Sequence, residues 1–238
     1  YRLDIEMADT IKIKGREFNY SPVRLVNDGT EPRLDISAAI ENLKIMRTVL
    51  NNADIPFMLI YGTLLGAVRD GEFIKHDSDT DLLIDEDDEL KLLDAIPVLE
   101  KRGLLLVRYE KLTFFGLGDI VYSFMRNNMW IDIFILQHAG EHCIIAGIKY
   151  PYHYFINAGK VVFYDDEYAI PSDIDDCLAL LYGKDWKTPV ENAHDGAVKF
   201  IFRMRVYFFI IHLGAVVLKF ILPKAAFQKL KNKIFAYK

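Results

Sequence analysis

The sequence predicts an α/β fold in which helices flank a mixed β-sheet. Apolar residues recur at helical spacing from Ile36 to Leu50, which predicts an amphipathic helix. The apolar run 57–61 and the segment 79–84, in which apolar residues follow two aspartates, have the length of strands. Because helical and strand segments of this kind follow one another along the chain, a sheet with helices on its faces is the expected assembly.

The first part of the chain divides into an arm, a helix and a strand. Residues 1–31 are predicted to form a short hairpin or an irregular arm, since apolar residues alternate in places around Gly15. A helix is expected to begin shortly after Pro32 and to continue through Leu50. The buried strand 57–61 comes next, before a glycine turn and a short helix.

The remaining elements complete one domain. In chain order they are strand 79–84, helix 87–101, strands 104–108, 114–125, 130–136 and 161–164, and helix 173–182. Ser172 or Asp173 is expected to cap the last helix. The predicted catalytic domain spans residues 32–195, and residues 196–238 form a separate tail.

Composition excludes several classes of protein. With 238 residues, of which 52% are hydrophobic, the chain can bury one sizeable core, so global disorder is excluded. The two cysteines, Cys143 and Cys177, form no CxxC pair and have no histidine spacing suited to zinc. A disulfide framework is therefore not expected, and reduced, cytoplasmic residence is the prediction.

An acidic segment and a later aspartate predict a metal site. Asp79 and Asp81 are two residues apart, so on a strand they share one face. Asp132 stands among apolar residues of another strand, where an unpaired carboxylate is costly unless a cation or hydrogen bonds compensate it. Because hard divalent cations take oxygen ligands, these three aspartates are predicted to bind Mg²⁺ or Mn²⁺ and to be catalytic.

Residues near this segment are candidates for phosphate and substrate binding. The turn at Gly62 and Thr63, followed by a helix N-terminus, offers amide and hydroxyl donors to a phosphate oxygen. Arg69 and Lys75 lie between the turn and the carboxylates and could hold phosphate, although surface salt bridges explain them equally well.

Two further neighbours of the acidic segment complete the predicted substrate-binding set. They are His76 and Asp77. For His76, simple packing is an equal alternative. The acid run 85–89, in contrast, is interpreted as a solvated helix start.

Three segments carry a family resemblance. Residues 61–81 (YGTLLGAVRDGEFIKHDSDTD) resemble the signature of the LicD family, 130–134 (WIDIF) resemble its downstream strand, and 182–186 (YGKDW) its late element. The resemblance implies a nucleotidyltransferase-like fold and a CDP-activated alcohol as donor, as in phosphocholine and fukutin-type ribitol-phosphate transferases. It also implies that Asp79 and Asp81 are paired metal ligands and that Asp132 is a third carboxylate or the general base.

The sequence departs from the family signature at four positions. Asp70 replaces a histidine, Lys75 and His76 replace proline and tryptophan, and Ser78 replaces the middle aspartate of the acidic triplet. These changes lie beside the expected metal site, so they leave the transferred group open.

The tail 196–238 differs in charge from the rest of the chain. It has nine Lys or Arg and no Asp or Glu, whereas the preceding residues have 20 basic and 34 acidic residues. Its apolar stretch 206–222 is short for a membrane-spanning helix. Arg205, His212 and Lys219 are seven residues apart, so they form one polar stripe on a helix. This pattern favours a helix at an anionic membrane surface over a helix packed on the core.

The resulting prediction is a metal-dependent phosphotransferase. It would move a phospho-alcohol from a CDP-linked donor to a hydroxyl of a surface glycan or lipid-linked glycan precursor, at the inner face of the membrane and without a nucleic acid partner. Two alternatives remain open at this point: transfer of NMP from an NTP to a small molecule, and a non-catalytic metal- or glycan-binding module.

Overall fold

A computed structural model describes residues 2–5, 9–26, 34–75, 77–114 and 117–189. The predicted substrate contact His76 and the predicted tail 196–238 lie outside these residues, as does part of the predicted arm.

The described residues form 13 strands, five helices and one 3-10 turn. The strands are β1 (Arg2–Ile5), β2 (Asp9–Ile13), β3 (Arg16–Tyr20), β4 (Val23–Val26), β5 (Phe57–Leu59), β6 (Asp79–Asp85), β7 (Leu105–Phe114), β8 (Leu117–Arg126), β9 (Met129–Ala139), β10 (His142–Ile145), β11 (Ile148–Pro151), β12 (Gly159–Phe163) and β13 (Asp166–Ile170). The helices are α1 (Ile36–Asn52), α2 (Tyr61–Arg69), α3 (Glu89–Lys101), α4 (His153–Ile156) and α5 (Ile174–Tyr182), with a 3-10 turn at Glu86–Asp88.

One mixed sheet organises the domain, which confirms the predicted α/β class. Within the described residues it has nine strands, in the order β11-β10-β9-β6-β5-β13-β12, with β8 also paired to β9 and β7 to β8. Strand β6 runs parallel to β9, and β13 runs parallel to β5, while the other pairs in this sheet are antiparallel. The long strand β9 therefore lies at the centre of the sheet, with β6 on one side and β8 on the other.

Helix α1 follows the predicted periodicity. Its buried stripe includes Leu43, Met46 and Leu50. Asp35 caps the helix, since its side chain accepts a hydrogen bond from the amide of Ala38. Helix α1 contacts α3, and together they cover part of the sheet.

The β2–β3 hairpin packs on the domain core. Ile13 and Phe18 are buried in the same cluster as the sheet residues. The amide of Ser21 donates to the carbonyl of Leu106 at 2.9 Å, which joins the end of the hairpin to β7. The hairpin predicted in the N-terminal arm is thus an integral part of the structure.

Several predicted boundaries are wrong, among them the end of the strand predicted over 104–108, which continues to Phe114 as β7. The strand predicted over 57–61 ends at Leu59, and α2 begins at Tyr61, so the predicted turn at 62 and 63 is already helix. Continuous apolar sequence does not mark where a buried strand becomes a buried helix. The strand predicted over 114–125 instead spans the junction of β7 and β8, since strand-forming residues lie on both sides of the reversal.

Several short elements after β9 are absent from the prediction. They are β10, β11, α4 and β13. Each of these elements has only four or five residues, which is too few for a clear periodic pattern. Among the described residues, none of the helices combines the length and apolarity needed to cross a bilayer.

Candidate active site

Neighbouring strands bring the predicted aspartates together. In the parallel register of β6 and β9, Asp79 is opposite Trp130 and Asp81 is opposite Asp132. Side chains opposite one another in register project from the same face of a sheet. Thr80, on the other face, is 1% exposed. The predicted convergence of Asp79, Asp81 and Asp132 is therefore present in the fold.

Asp77 joins Asp79 and Asp81 in a carboxylate cluster. One oxygen atom from each of the three lies within 4.8 Å of the others. Asp77 was predicted to bind substrate, but its position makes it an equal candidate for a metal ligand. A set made only of carboxylate oxygens suits a hard divalent cation. The cluster could therefore hold a metal ion.

Asp132 lies beside this cluster and is 4% exposed. Its Oδ2 accepts a charge-assisted hydrogen bond from Nη2 of Arg108. Its Oδ1 is buried and, among the described residues, accepts no hydrogen bond. An orphaned carboxylate oxygen in the interior is unfavourable, and a cation held with Asp81 would compensate it. This observation fits a metal site at the same place.

The clustered carboxylates are hard to ionise together. Burial, and then the charge of Asp77, raise the pKa of Asp79 to about 7. Burial likewise raises the pKa of Asp132 to about 6, against the lowering effect of Arg108. Burial and the charge of Asp79 raise the pKa of Asp81 well above its ordinary value. A divalent cation would reverse this tendency, because it favours the charged form of every carboxylate around it.

The first turn of α2 and the residue before it hold Asp81 by three hydrogen bonds. The amide of Gly62 donates to Oδ2 of Asp81 at 3.2 Å. The amide of Asp81 donates to Oγ1 of Thr63 at 2.8 Å, and the amide of Ile60 donates to the carbonyl of Asp81 at 3.2 Å. Gly62 and Thr63 thus lie at the cluster, as predicted, but their contacts are with Asp81. Thr63 is 1% exposed, so its side chain serves to position β6 against α2.

Of the two cations predicted to bind phosphate, one is paired with a neighbouring aspartate and the other is exposed. Arg69 is the last residue of α2, and its Nε and Nη2 donate to the carboxylate of Asp70 at 2.9 and 2.7 Å. Arg69 thus forms a salt bridge, which was the alternative to phosphate binding for this residue. Lys75 is exposed in the loop before β6.

Sequence reasoning missed two residues that face the cluster. Arg108 comes from β7, which is separated from β6 by β9 and β8, and nothing in its local sequence marks it. Tyr182 ends α5, where burial raises its pKa, and the charges of Asp81 and Asp77 add to that effect. The signal for Tyr182 was present, because it begins the YGKDW segment.

Comparisons with known proteins agree with these features. The model of the LicD/FKTN/FKRP nucleotidyltransferase domain matches residues 54–173, which include the carboxylate cluster, Arg108 and Asp132. The uncharacterized protein RP689 of Rickettsia prowazekii (strain Madrid E) is 32% identical over 117 residues, which are 48% of this chain and 40% of that protein. The chain therefore spans about two fifths of the length of this curated relative.

Two solved structures of ANT(2'')-Ia were also found. The crystal structure in complex with adenylyl-2''-tobramycin is 18% identical, covers 80% of this chain and 97% of that chain, and has a TM-score of 0.45. The solution structure is 13% identical, covers 74% of this chain and 93% of that chain, and has a TM-score of 0.45.

Proposed function

The chain belongs to the LicD/FKTN/FKRP nucleotidyltransferase family, and from this premise we propose that it is a metal-dependent phosphotransferase. It moves a phospho-alcohol, phosphocholine or a chemically similar group, from a CDP-activated donor to a sugar hydroxyl of a cell-surface glycan or its precursor. The observation that supports this proposal most directly is the meeting of Asp77, Asp79 and Asp81 beside Asp132. Phosphoryl transfer requires mainly positioning and neutralisation of charge, and such a cluster supplies the ligands for both.

Mg²⁺ or Mn²⁺ is the proposed cofactor. Asp79, Asp81 and Asp132 are the proposed ligands, with Asp77 as a fourth candidate. When bound, the cation would neutralise negative charge on the donor phosphates. Helix α2 contributes by holding Asp81 in place through Gly62 and Thr63.

The proposed reaction displaces CMP. The acceptor hydroxyl attacks the phosphorus that carries the alcohol, the bond from that phosphorus to the bridging oxygen breaks, and CMP leaves. The hydroxyl proton passes to a carboxylate of the site. Asp132 is the candidate base, because it lies on β9 directly beside Asp81 of the carboxylate cluster.

Calorimetric titration tests the donor. CDP-choline, CDP-ribitol, CDP-glycerol and CDP-ethanolamine are each added to the protein with Mg²⁺, and at least one is expected to bind. Asp81→Asn is expected to abolish that binding, since it removes a charge from the cluster. If the wild-type protein binds none of the four, the donor assignment is wrong.

Product analysis separates this reaction from its alternatives. Release of CMP in the presence of a glycan acceptor supports the proposed transfer, whereas release of pyrophosphate from an NTP supports nucleotidyl transfer. Unchanged phosphorylation of the glycan in cells that carry Asp79→Ala would instead support a non-catalytic module.

A peripheral membrane location is proposed for the same reaction, since lipid-linked glycan precursors lie at the membrane. The basic composition of residues 196–238 supports this location. Co-sedimentation with vesicles that contain phosphatidylserine is expected to weaken when Lys229, Lys231 and Lys233 are replaced by Gln. Equal sedimentation of both proteins would contradict it.

A further inference from the structure

Arg108 stands at the edge of the carboxylate site and is held there from three sides. Arg108 on β7 is opposite Ser123 on β8, which is opposite Asp132 on β9, so the three form one row across the sheet. Nε of Arg108 donates to Oγ of Ser123 at 2.8 Å, and Nη2 donates to Oδ2 of Asp132. The Trp130 ring centroid lies 6.0 Å from Cζ of Arg108, a cation–π arrangement.

Among the described residues, most of the donors of Arg108 have no hydrogen-bond partner. A guanidinium has five N–H donors, and these contacts account for one at Nε and one at Nη2. Nη1 lies 4.0 Å from Glu110, beyond hydrogen-bond distance, and the side chain is 39% exposed. The anchored guanidinium therefore directs free donors to the solvent beside the cluster. Arg69, in contrast, gives both Nε and Nη2 to Asp70 and is 13% exposed.

A phosphate ligand would match these free donors. The guanidinium fork binds two phosphate oxygens at once and keeps its charge at any physiological pH. The carboxylates of Asp79, Asp81 and Asp132 repel a phosphate, so a fixed cation beside them offsets that repulsion. The anchoring contacts also hold the side chain in one position before ligand arrives, which lowers the entropy cost of binding.

We propose that Arg108 binds a phosphate oxygen of the donor and is the principal protein cation for that group. The inference rests on the proposed function only in that the phosphate belongs to a nucleoside diphosphate. Asp132, Ser123 and Trp130 position the guanidinium for this contact.

Binding measurements with two probes test the proposal. Inorganic pyrophosphate and CDP, each with Mg²⁺, are titrated into wild type, Arg108→Gln and Arg108→Lys. Arg108→Gln is expected to weaken both affinities by about tenfold to a hundredfold, because it removes a charged donor. Arg108→Lys is expected to lose less, since it keeps the charge without the fork.

Arg47→Gln is the matched control. Nη1 of Arg47 lies 3.0 Å from Oδ1 of Asp166, and its Cζ lies 5.7 Å from the Tyr168 ring centroid. Arg47 therefore has an aspartate and an aromatic ring as neighbours, as Arg108 does, but its aspartate does not belong to the carboxylate cluster. This variant is expected to bind both probes as wild type does.

Mn²⁺ titration without phosphate separates phosphate binding from a structural role. If Arg108 only positioned Asp132, Arg108→Gln would weaken Mn²⁺ binding in parallel with pyrophosphate binding. The proposal expects Mn²⁺ binding to be unchanged or tighter, because a positive charge beside the cation has been removed. Parallel loss of both affinities would overturn the proposal.

The remaining outcomes are distinct. Pyrophosphate binding by Arg108→Gln at the wild-type affinity overturns the proposal, as does a wild-type protein that binds neither probe. If pyrophosphate binds in an Arg108-dependent way but CDP does not bind, the phosphate contact of Arg108 is supported and the CDP-linked donor is refuted. Circular dichroism verifies folding, and if Arg108→Gln does not fold, Arg108→Lys and Ser123→Ala carry the same measurement, each with a smaller expected loss.

Discussion

Gly62 and Asp77 occupy adjoining space that no larger side chain could share. A Cβ on residue 62 would lie 2.0 Å from Oδ2 of Asp77 and 3.0 Å from its Cγ. The absence of a side chain at 62 thus allows the carboxylate of Asp77 to lie against the first turn of α2. Glycine at this position is a requirement of the carboxylate cluster.

Gly62→Ala is expected to weaken Mn²⁺ binding by about tenfold or more, because the displaced Asp77 carboxylate can no longer join the cluster. Folding should be unaffected, since alanine favours a helix over glycine by about 1 kcal/mol. Electron paramagnetic resonance of a Mn²⁺ titration measures the affinity, and thermal unfolding in EDTA provides the control. Wild-type affinity in the variant would show that Asp77 is not part of the metal site.

Gly66→Ala is expected to act on stability. A Cβ at residue 66 would lie 2.5 Å from the carbonyl oxygen of Glu72 and 3.2 Å from the amide of Ile74, both backbone atoms that cannot rotate away. Overpacking of this kind costs about 1–3 kcal/mol of unfolding free energy. Urea unfolding measures it, and an unchanged midpoint would contradict the close packing of α2 on residues 72–74.

The metal-free protein is expected to lose stability as pH rises. Burial raises the pKa of Asp79 to about 7 and that of Asp132 to about 6, whereas an unfolded aspartate titrates near 3.9. The folded state therefore binds more protons than the unfolded state between these values. The stability that protonation of these two carboxyl groups contributes is complete below about pH 4 and is lost as pH rises through 6 to 7.

Asp79→Asn is the control for this pH dependence. Because it removes a carboxyl with a raised pKa, it should be more stable than wild type in EDTA at pH 8, by roughly 2 kcal/mol. The two proteins should converge at pH 4. Urea unfolding at both pH values measures the difference, and a less stable variant at pH 8 would contradict the charge repulsion in the cluster.

Cys143 and Cys177 are expected to be inert thiols in the folded protein. Both are buried, and burial, with the charge of Asp85 as a second cause for Cys143, raises the pKa of each to about 12. Ellman's reagent at pH 8 should modify neither in native buffer and both in denaturing urea. Fast modification of the native protein would show that one of them is accessible.

Tyr122→Phe is expected to lower the unfolding free energy by about 1.5–3 kcal/mol, the usual value of a hydrogen bond to a charged group. The hydroxyl of Tyr122 donates to Oε1 of Glu89 at 2.7 Å, and Glu89, which also pairs with Lys14 of the hairpin, is 3% exposed. A double-mutant cycle with Glu89→Ala, which removes the acceptor, isolates this contact. A coupling energy near zero would refute it.

Local pattern sufficed for the long elements and for the identity of the carboxylates. Helix α1 was predictable because its apolar residues recur at helical spacing, and strand β6 because a short apolar run follows its aspartates. Asp79, Asp81 and Asp132 were predictable because alternation places the first two on one face, and an aspartate within an apolar strand requires a partner.

The partner of Asp132 was decided by the tertiary structure alone. The sequence gives no sign that Arg108 would reach it, since 24 residues separate them and the contact depends on β8 lying between their strands. The same holds for Asp77 against Gly62, whose contact arises from the packing of α2 on the segment before β6. Residue type and spacing determine which groups can bind a cation. Strand order and register determine which charged residues lie beside those groups, because the pairing of distant segments is fixed by the whole core.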